Sequence, residues 1–130
     1  LKYLLDTNVA SDYLKGVPTV VNHVQNCHPG DIAISAVTVM ELSYGAKRRN
    51  SSQLTQAVDA FIDAVSILPL DDISGKIAGE LKATLESQGT AIALADCQIA
   101  AIARQHAMTL VSNDSDLHRI PDQTVIDWRQ

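Results

Sequence analysis

With 130 residues, 46% apolar and 19% charged, the chain has the size and composition of one globular domain with its own core, and it is too short for two ordinary ones. No apolar run reaches the roughly 18 residues that span a bilayer, and the opening Leu1-Lys2-Tyr3-Leu4-Leu5-Asp6 turns acidic too soon for a secretory leader. Ten basic against fifteen acidic residues leave a net charge of −5, which excludes attachment to nucleic acid through a broad basic surface. Five aromatics are too few for a platform that stacks single strands. Cys27 and Cys97 have neither zinc-ligand spacing nor the density of a disulfide framework, so a reducing, cytoplasmic setting is expected. If four of the acids share one site, the rest of the surface is nearly neutral, and nucleic-acid chemistry stays open.

In chain order, Tyr3-Leu4-Leu5 reads as a short strand that ends abruptly in the polar trio Asp6-Thr7-Asn8, at a junction with a helix. That helix is expected from about Val9 to Leu14, stopping at Gly16. A second, capped by Thr19, runs to about Asn26 on the apolar stripe Val20, Val21 and Val24. His28-Pro29-Gly30-Asp31 is a turn, and Ile32-Ala33-Ile34-Ser35 a second strand. Amphipathic helices follow from Val37 to about Arg48 and from Ser51 to Ala64. Ser66-Ile67-Leu68-Pro69 reads as a third strand and Asp72–Glu86 as a helix ended by Ser87-Gln88-Gly89. Leu94–His106 is helical and apolar nearly all round, so it is expected to be buried on more than one face. Met108–Val111 and Thr124–Ile126 complete the strands, and Met40 and Met108 read as core residues. Short apolar strands alternating with helices predict an α/β domain with a small, mostly parallel sheet of four or five strands.

In open parallel sheets, sites lie beyond the carboxyl ends of the strands. Asp6 directly follows the first strand and Asp114 lies three residues past Val111, so both face one crevice if those strands are near each other. Each could equally be a helix cap. Glu41 sits among Val37, Val39, Met40 and Leu42. Asp96 shares its helical face with Ile99, Ala100 and Ala103. A carboxylate on an apolar face costs several kcal/mol by order of magnitude without compensation, and few cations are close in sequence. For Glu41 the plain alternative is a surface glutamate, and for Asp96 a first-turn acid favoured by the helix dipole. Four carboxylates in one crevice repel, and a divalent cation relieves that conflict. Oxygen-only ligands select Mg²⁺ or Mn²⁺ over zinc, and such an ion can hold a phosphate oxygen and activate a water for in-line attack. No Walker loop, GxGxxG or HExxH motif competes.

These residues carry a resemblance to a known family. Leu4-Leu5-Asp6-Thr7-Asn8 resembles the opening of PIN-domain ribonucleases. Ser35-Ala36-Val37-Thr38-Val39-Met40-Glu41-Leu42-Ser43-Tyr44-Gly45 resembles their second motif, Ala95-Asp96-Cys97-Gln98-Ile99-Ala100-Ala101 the third, and Thr109-Leu110-Val111-Ser112-Asn113-Asp114 the fourth. Arg119-Ile120-Pro121 and Asp127-Trp128 are similar to tails in the VapC toxins of type II toxin–antitoxin pairs. The resemblance spans essentially the whole chain, read as one PIN-like domain over residues 1–130. Each motif is weak alone; four in this order and spacing are specific.

The resemblance implies a three-layer PIN-like fold and RNA cleavage with Mg²⁺ or Mn²⁺. It also implies a homodimer and inhibition by a cognate VapB-like antitoxin. Carried over by position, it implies that Asp6, Glu41, Asp96 and Asp114 form the metal site. Thr7, Asn8 and Ser112 fall at the polar positions that support them. Two departures stand out: Leu117 where the family often has an aromatic, and a second acid, Asp116, close behind Asp114, kept as a supporting candidate that a small shift in register would make the fourth metal-site acid in place of Asp114. Lys47, Arg48 and Arg49 are candidate RNA contacts, against the plainer reading of a solvated helix end. The rival functions are an Mg²⁺-binding receiver-like signalling domain, which would need a lysine that does not follow Val111, and a catalytically silent binding module.

Overall fold

The computed structural model describes residues 1–130. Its centre is a five-stranded, wholly parallel sheet in the order β3-β2-β1-β4-β5. The strands are β1 (Tyr3–Leu5), β2 (Ile32–Ser35), β3 (Ser66–Leu68), β4 (Thr109–Val111) and β5 (Val125–Ile126). Seven helices cover it: α1 (Thr7–Lys15), α2 (Pro18–Asn26), α3 (Ala36–Arg49), α4 (Ser52–Ala64), α5 (Asp72–Ser87), α6 (Leu94–Gln105) and α7 (Ser115–His118). No helix is long and apolar enough to cross a membrane.

The central strands are short and mostly apolar because both faces are covered, whereas the edge strand β3 is largely exposed. Leu4, Ala33 and Leu110 point into one cluster with Leu81, Ile99, Ile102 and Leu117. Leu5, Ile34 and Val111 point into the other with Val9, Leu42, Phe61 and Trp128. The register pairs Leu5 with Ile34 on one side and Val111 on the other. The chain steps from β1 outward through β2 to β3, then returns to the opposite side of β1 for β4 and β5. The gap between β1 and β4 is therefore where the strand order reverses, the place at which doubly wound sheets open a crevice.

The expected elements are present, with differences that have local causes. Helix α1 begins at Thr7, two residues before the expected Val9, because Asp6 caps it by accepting a hydrogen bond from the Val9 amide at 2.8 Å. Gly16 ends it in the left-handed region (φ 79°), where a side chain would strain the backbone. Thr19 does not cap α2. Pro18 takes the first helical position, where its missing N–H costs nothing, and Val17 precedes it without a side-chain cap. Strand β4 starts at Thr109, paired with Tyr3, so Met108 lies just outside it. The one-turn helix α7 has no periodic signal in the sequence. Met108 is buried as expected, but Met40 is not a core residue: it is 58% exposed on the outer face of α3. As expected, α6 is enclosed, with Cys97 and Ile99 to Ala103 all buried.

Candidate active site

Asp6 stands where β1 becomes α1, with its amide donating to the Val111 carbonyl of neighbouring β4 (3.0 Å). Its side chain is buried, 3% exposed. Burial pushes the Asp6 carboxyl up from its ordinary value. The Ser112 hydroxyl and the Val9 amide hold it down, and the charges of Asp114 and Asp12 add to the rise. Ser112, fully buried, follows β4 and also accepts from the Asp114 amide (3.0 Å). Asp114 caps α7, its Oδ1 accepting from the Asp116 amide (2.9 Å). Asp116 forms an ion pair with Arg119 and so arrives partly neutralised.

Glu41 reaches the crevice from the second turn of α3, half-buried. It accepts a 2.6 Å hydrogen bond from Thr7 Oγ1, which in turn lies 3.0 Å from Thr38 Oγ1. Ser35 Oγ donates to Thr38 Oγ1 (3.3 Å) and accepts the Thr38 amide as the cap of α3 (3.0 Å). Three hydroxyls from the ends of β1 and β2 thus form a chain whose donors all point toward the Glu41 carboxylate. Sequence reasoning placed Thr7 in the site but missed Ser35 and Thr38. The Ser-x-x-Thr spacing at the head of α3 signals a cap, not a support for an acid.

Asp96 sits in the first turn of α6, half-buried. Its carboxyl is pushed up to about 6, first by burial and then by the charges of Asp114, Asp6, Glu41 and Asp116. Asp96 thus lies within electrostatic reach of the other three expected acids and of Asp116 at the strand ends. None of the four is in an ion pair. Asn8 is exposed at the rim. Lys47, Arg48 and Arg49 occupy the last turn of α3, away from the acids; Arg49 lines a groove that also contains Glu41.

The donor set is all oxygen, the chemistry hard divalent cations require. No three of the carboxyl, imidazole or thiol side chains converge closely enough to hold one ion between them. The tetrahedral cage of a structural zinc is therefore absent. The donors fit Mg²⁺ or Mn²⁺, since Mg²⁺ keeps several waters and takes one or two carboxylates.

The chain and its fold have counterparts among known proteins. The model of the PIN domain family matches residues 3–123. The chain belongs to the PIN-domain family. It is 32% identical to the tRNA(fMet)-specific endonuclease VapC of Shigella flexneri, over 98% of both chains. It is 36% identical to ribonuclease VapC2 of Haemophilus influenzae, over 88% of this chain and 87% of that one. Its fold is similar to that of the DNA-bound VapBC structure from Salmonella typhimurium, with a TM-score of 0.90 and 29% identity over 98% of each chain.

A second buried acid on α1 went unnoticed in the sequence. Asp12, 5% exposed, receives two 2.8 Å hydrogen bonds from Arg129 Nε and Nη2 and a third from Asn113 Nδ2 (3.2 Å). The chain's end is thereby fastened to the loop that carries Asp114. No local pattern points to it, because its partners lie more than a hundred residues away.

Proposed function

We propose that this chain is a divalent-metal-dependent endoribonuclease, the toxin of a type II toxin–antitoxin pair. The observation that carries the reading is that Asp6, Glu41 and Asp114 all press their charge on Asp96 at the strand ends, and none of the four is in an ion pair. One or two of Asp6, Glu41, Asp96 and Asp114, with waters completing the shell, would hold Mg²⁺, or Mn²⁺ in its place. A bound divalent cation supplies positive charge to the phosphate oxygens and lowers the pKa of nearby water. The chain's own residues arrange the site around it. Ser112 and the Val9 amide fix Asp6, the Ser35–Thr38–Thr7 hydroxyl chain fixes Glu41, and α7 holds Asp114. Asp116, paired with Arg119, serves as support; Asn8 faces the substrate at the rim.

A cognate antitoxin silences such a site by delivering a basic side chain to the acids, and an antitoxin lacking that residue inhibits less. Exposed Met40 and Tyr44, one turn apart on α3, supply an apolar patch for self-association as a homodimer. The test is incubation of a mixed RNA pool with Mg²⁺ or Mn²⁺, comparing wild type with Asp96→Asn. Cleavage by the wild type alone, leaving 5′-phosphate and 3′-hydroxyl ends, is expected. Cyclic phosphate or 3′-phosphate ends would contradict the mechanism, because they arise from attack by the ribose 2′-hydroxyl.

A further inference from the structure

Two helices leave the site side by side, and their facing stripes match. On α1, Thr7, Ser11 and Lys15 are four residues apart; on α3, Glu41, Gly45 and Arg49 repeat that spacing. Residues four apart share one face of a helix. Both stripes start at the Thr7–Glu41 hydrogen bond (2.6 Å), and both end in a cation about 12 Å further along. All six residues line one groove of about 190 Å³, whose apolar wall includes Leu42, Leu54 and Val58.

The two cations are uncommitted. The ion pairs of the molecule use Lys82, Arg119 and Arg129, and neither Lys15 nor Arg49 pairs with any carboxylate. Positive charge at a helix C-terminus suits the dipole, but that does not require two helices to aim their cations into the same groove. Gly45 is the second feature of the groove, a mid-helix glycine that, unlike Gly75 and Gly79 of α5, lines it. It lies inside α3, where glycine weakens a helix. A Cβ built there meets nothing within 4 Å, so no packing within the chain demands a glycine. What the missing side chain does is keep the groove open.

From one end to the other, the groove runs from carboxylates, past an apolar wall, to a pair of cations. We infer that it seats the RNA strand beside the scissile phosphate. The base packs against the apolar wall, and Lys15 and Arg49 together hold a phosphate further along the strand. The inference rests on the ribonuclease reading above and adds to it a subsite that fixes the substrate's path away from the acids.

The experiment measures binding of a fluorescein-labelled random RNA dodecanucleotide to the full chain in EDTA, from low to physiological salt. It is paired with KM and kcat for cleavage of an RNA pool. Three variants are compared: Lys15→Ala/Arg49→Ala, Gly45→Leu, and a charge-matched control, Lys2→Ala/Lys76→Ala, outside the groove. Relative to the control, the groove double variant is expected to bind about tenfold more weakly, with the slope of log K against log salt reduced by about 0.7, the value for one phosphate on a single strand. Its KM rises while kcat holds, because the contact is made equally in the ground and transition states. Gly45→Leu blocks the groove and raises KM without removing a charge, and its folding is checked by circular dichroism. If wild type binds and cleaves RNA while both groove variants match the control, the subsite is overturned alone and the groove is left to a peptide partner. If wild type neither binds nor cleaves RNA, the ribonuclease reading falls and the subsite with it.

Discussion

Helix α1 buries two carboxylates, Asp6 and Asp12, to almost the same depth, and they are treated in opposite ways. Asp12 is answered by a bidentate Arg129 and by Asn113. Asp6 is answered by one amide and one hydroxyl, and its other neighbours include the further acid Asp114. A fold that can supply an arginine to one buried acid and withholds it from another a turn and a half away has left the second charge for something else to neutralise. The contrast separates a carboxylate that holds the structure together from one that waits for a cation.

The largest effect is expected from breaking the answered acid. Arg129→Ala leaves Asp12 buried without its counter-charge and is expected to lower the Tm more than any other substitution named here. Arg129→Lys keeps the charge, loses the planar fork and falls between. Thermal denaturation checks both, and an unchanged Tm in Arg129→Ala would dissolve the contrast.

The unanswered acids respond in the other direction. Asp96→Asn removes a charge the fold does not want, so the metal-free protein gains about 1 kcal/mol at neutral pH, after discounting for a half-buried group, while RNA cleavage is lost. Activity and stability thus move oppositely at one position.

Acidification sharpens the same contrast. The Asp96 carboxyl sits at about 6 against an ordinary 3.8, and Asp6 is also raised. The folded state therefore binds more protons than the unfolded one between about pH 4 and 6, and metal-free stability falls as pH rises through that window. Urea denaturation at a series of pH values is expected to show this decline in wild type and a flatter profile in Asp96→Asn. The smallest effect is at Gly45: Gly45→Ala stabilises α3 by about 0.5 kcal/mol, read as a small rise in the urea midpoint.

The four unpaired acids were candidates in the sequence from their places along the chain, and the family resemblance joined them into one set. Asp6 and Asp114 stand where parallel strands end, and Glu41 and Asp96 interrupt apolar helical faces. Asp12 lies on the buried face of α1, three residues after Val9, and only the return of Arg129 shows what answers its charge. Met40 was misread because apolar character predicts burial only on average, and an outward face of α3 can keep a methionine in solvent. The Ser35 hydroxyl caps α3, and Thr38 is the residue whose amide it receives. Their further role appears once β1 and β2 are adjacent and Thr7 is brought between Thr38 and Glu41. Strand order is set by long-range packing, and with it went everything that depends on two strand ends meeting.

The central claim is that the crevice acids are left unpaired for a divalent cation, and thermal denaturation with and without Mg²⁺ tests it most directly. Mg²⁺ is expected to raise the Tm of wild type and to leave Asp96→Asn nearly unmoved, so that the variant is the more stable protein without the ion and loses that advantage with it. Equal shifts in both proteins, or none in either, would contradict the claim.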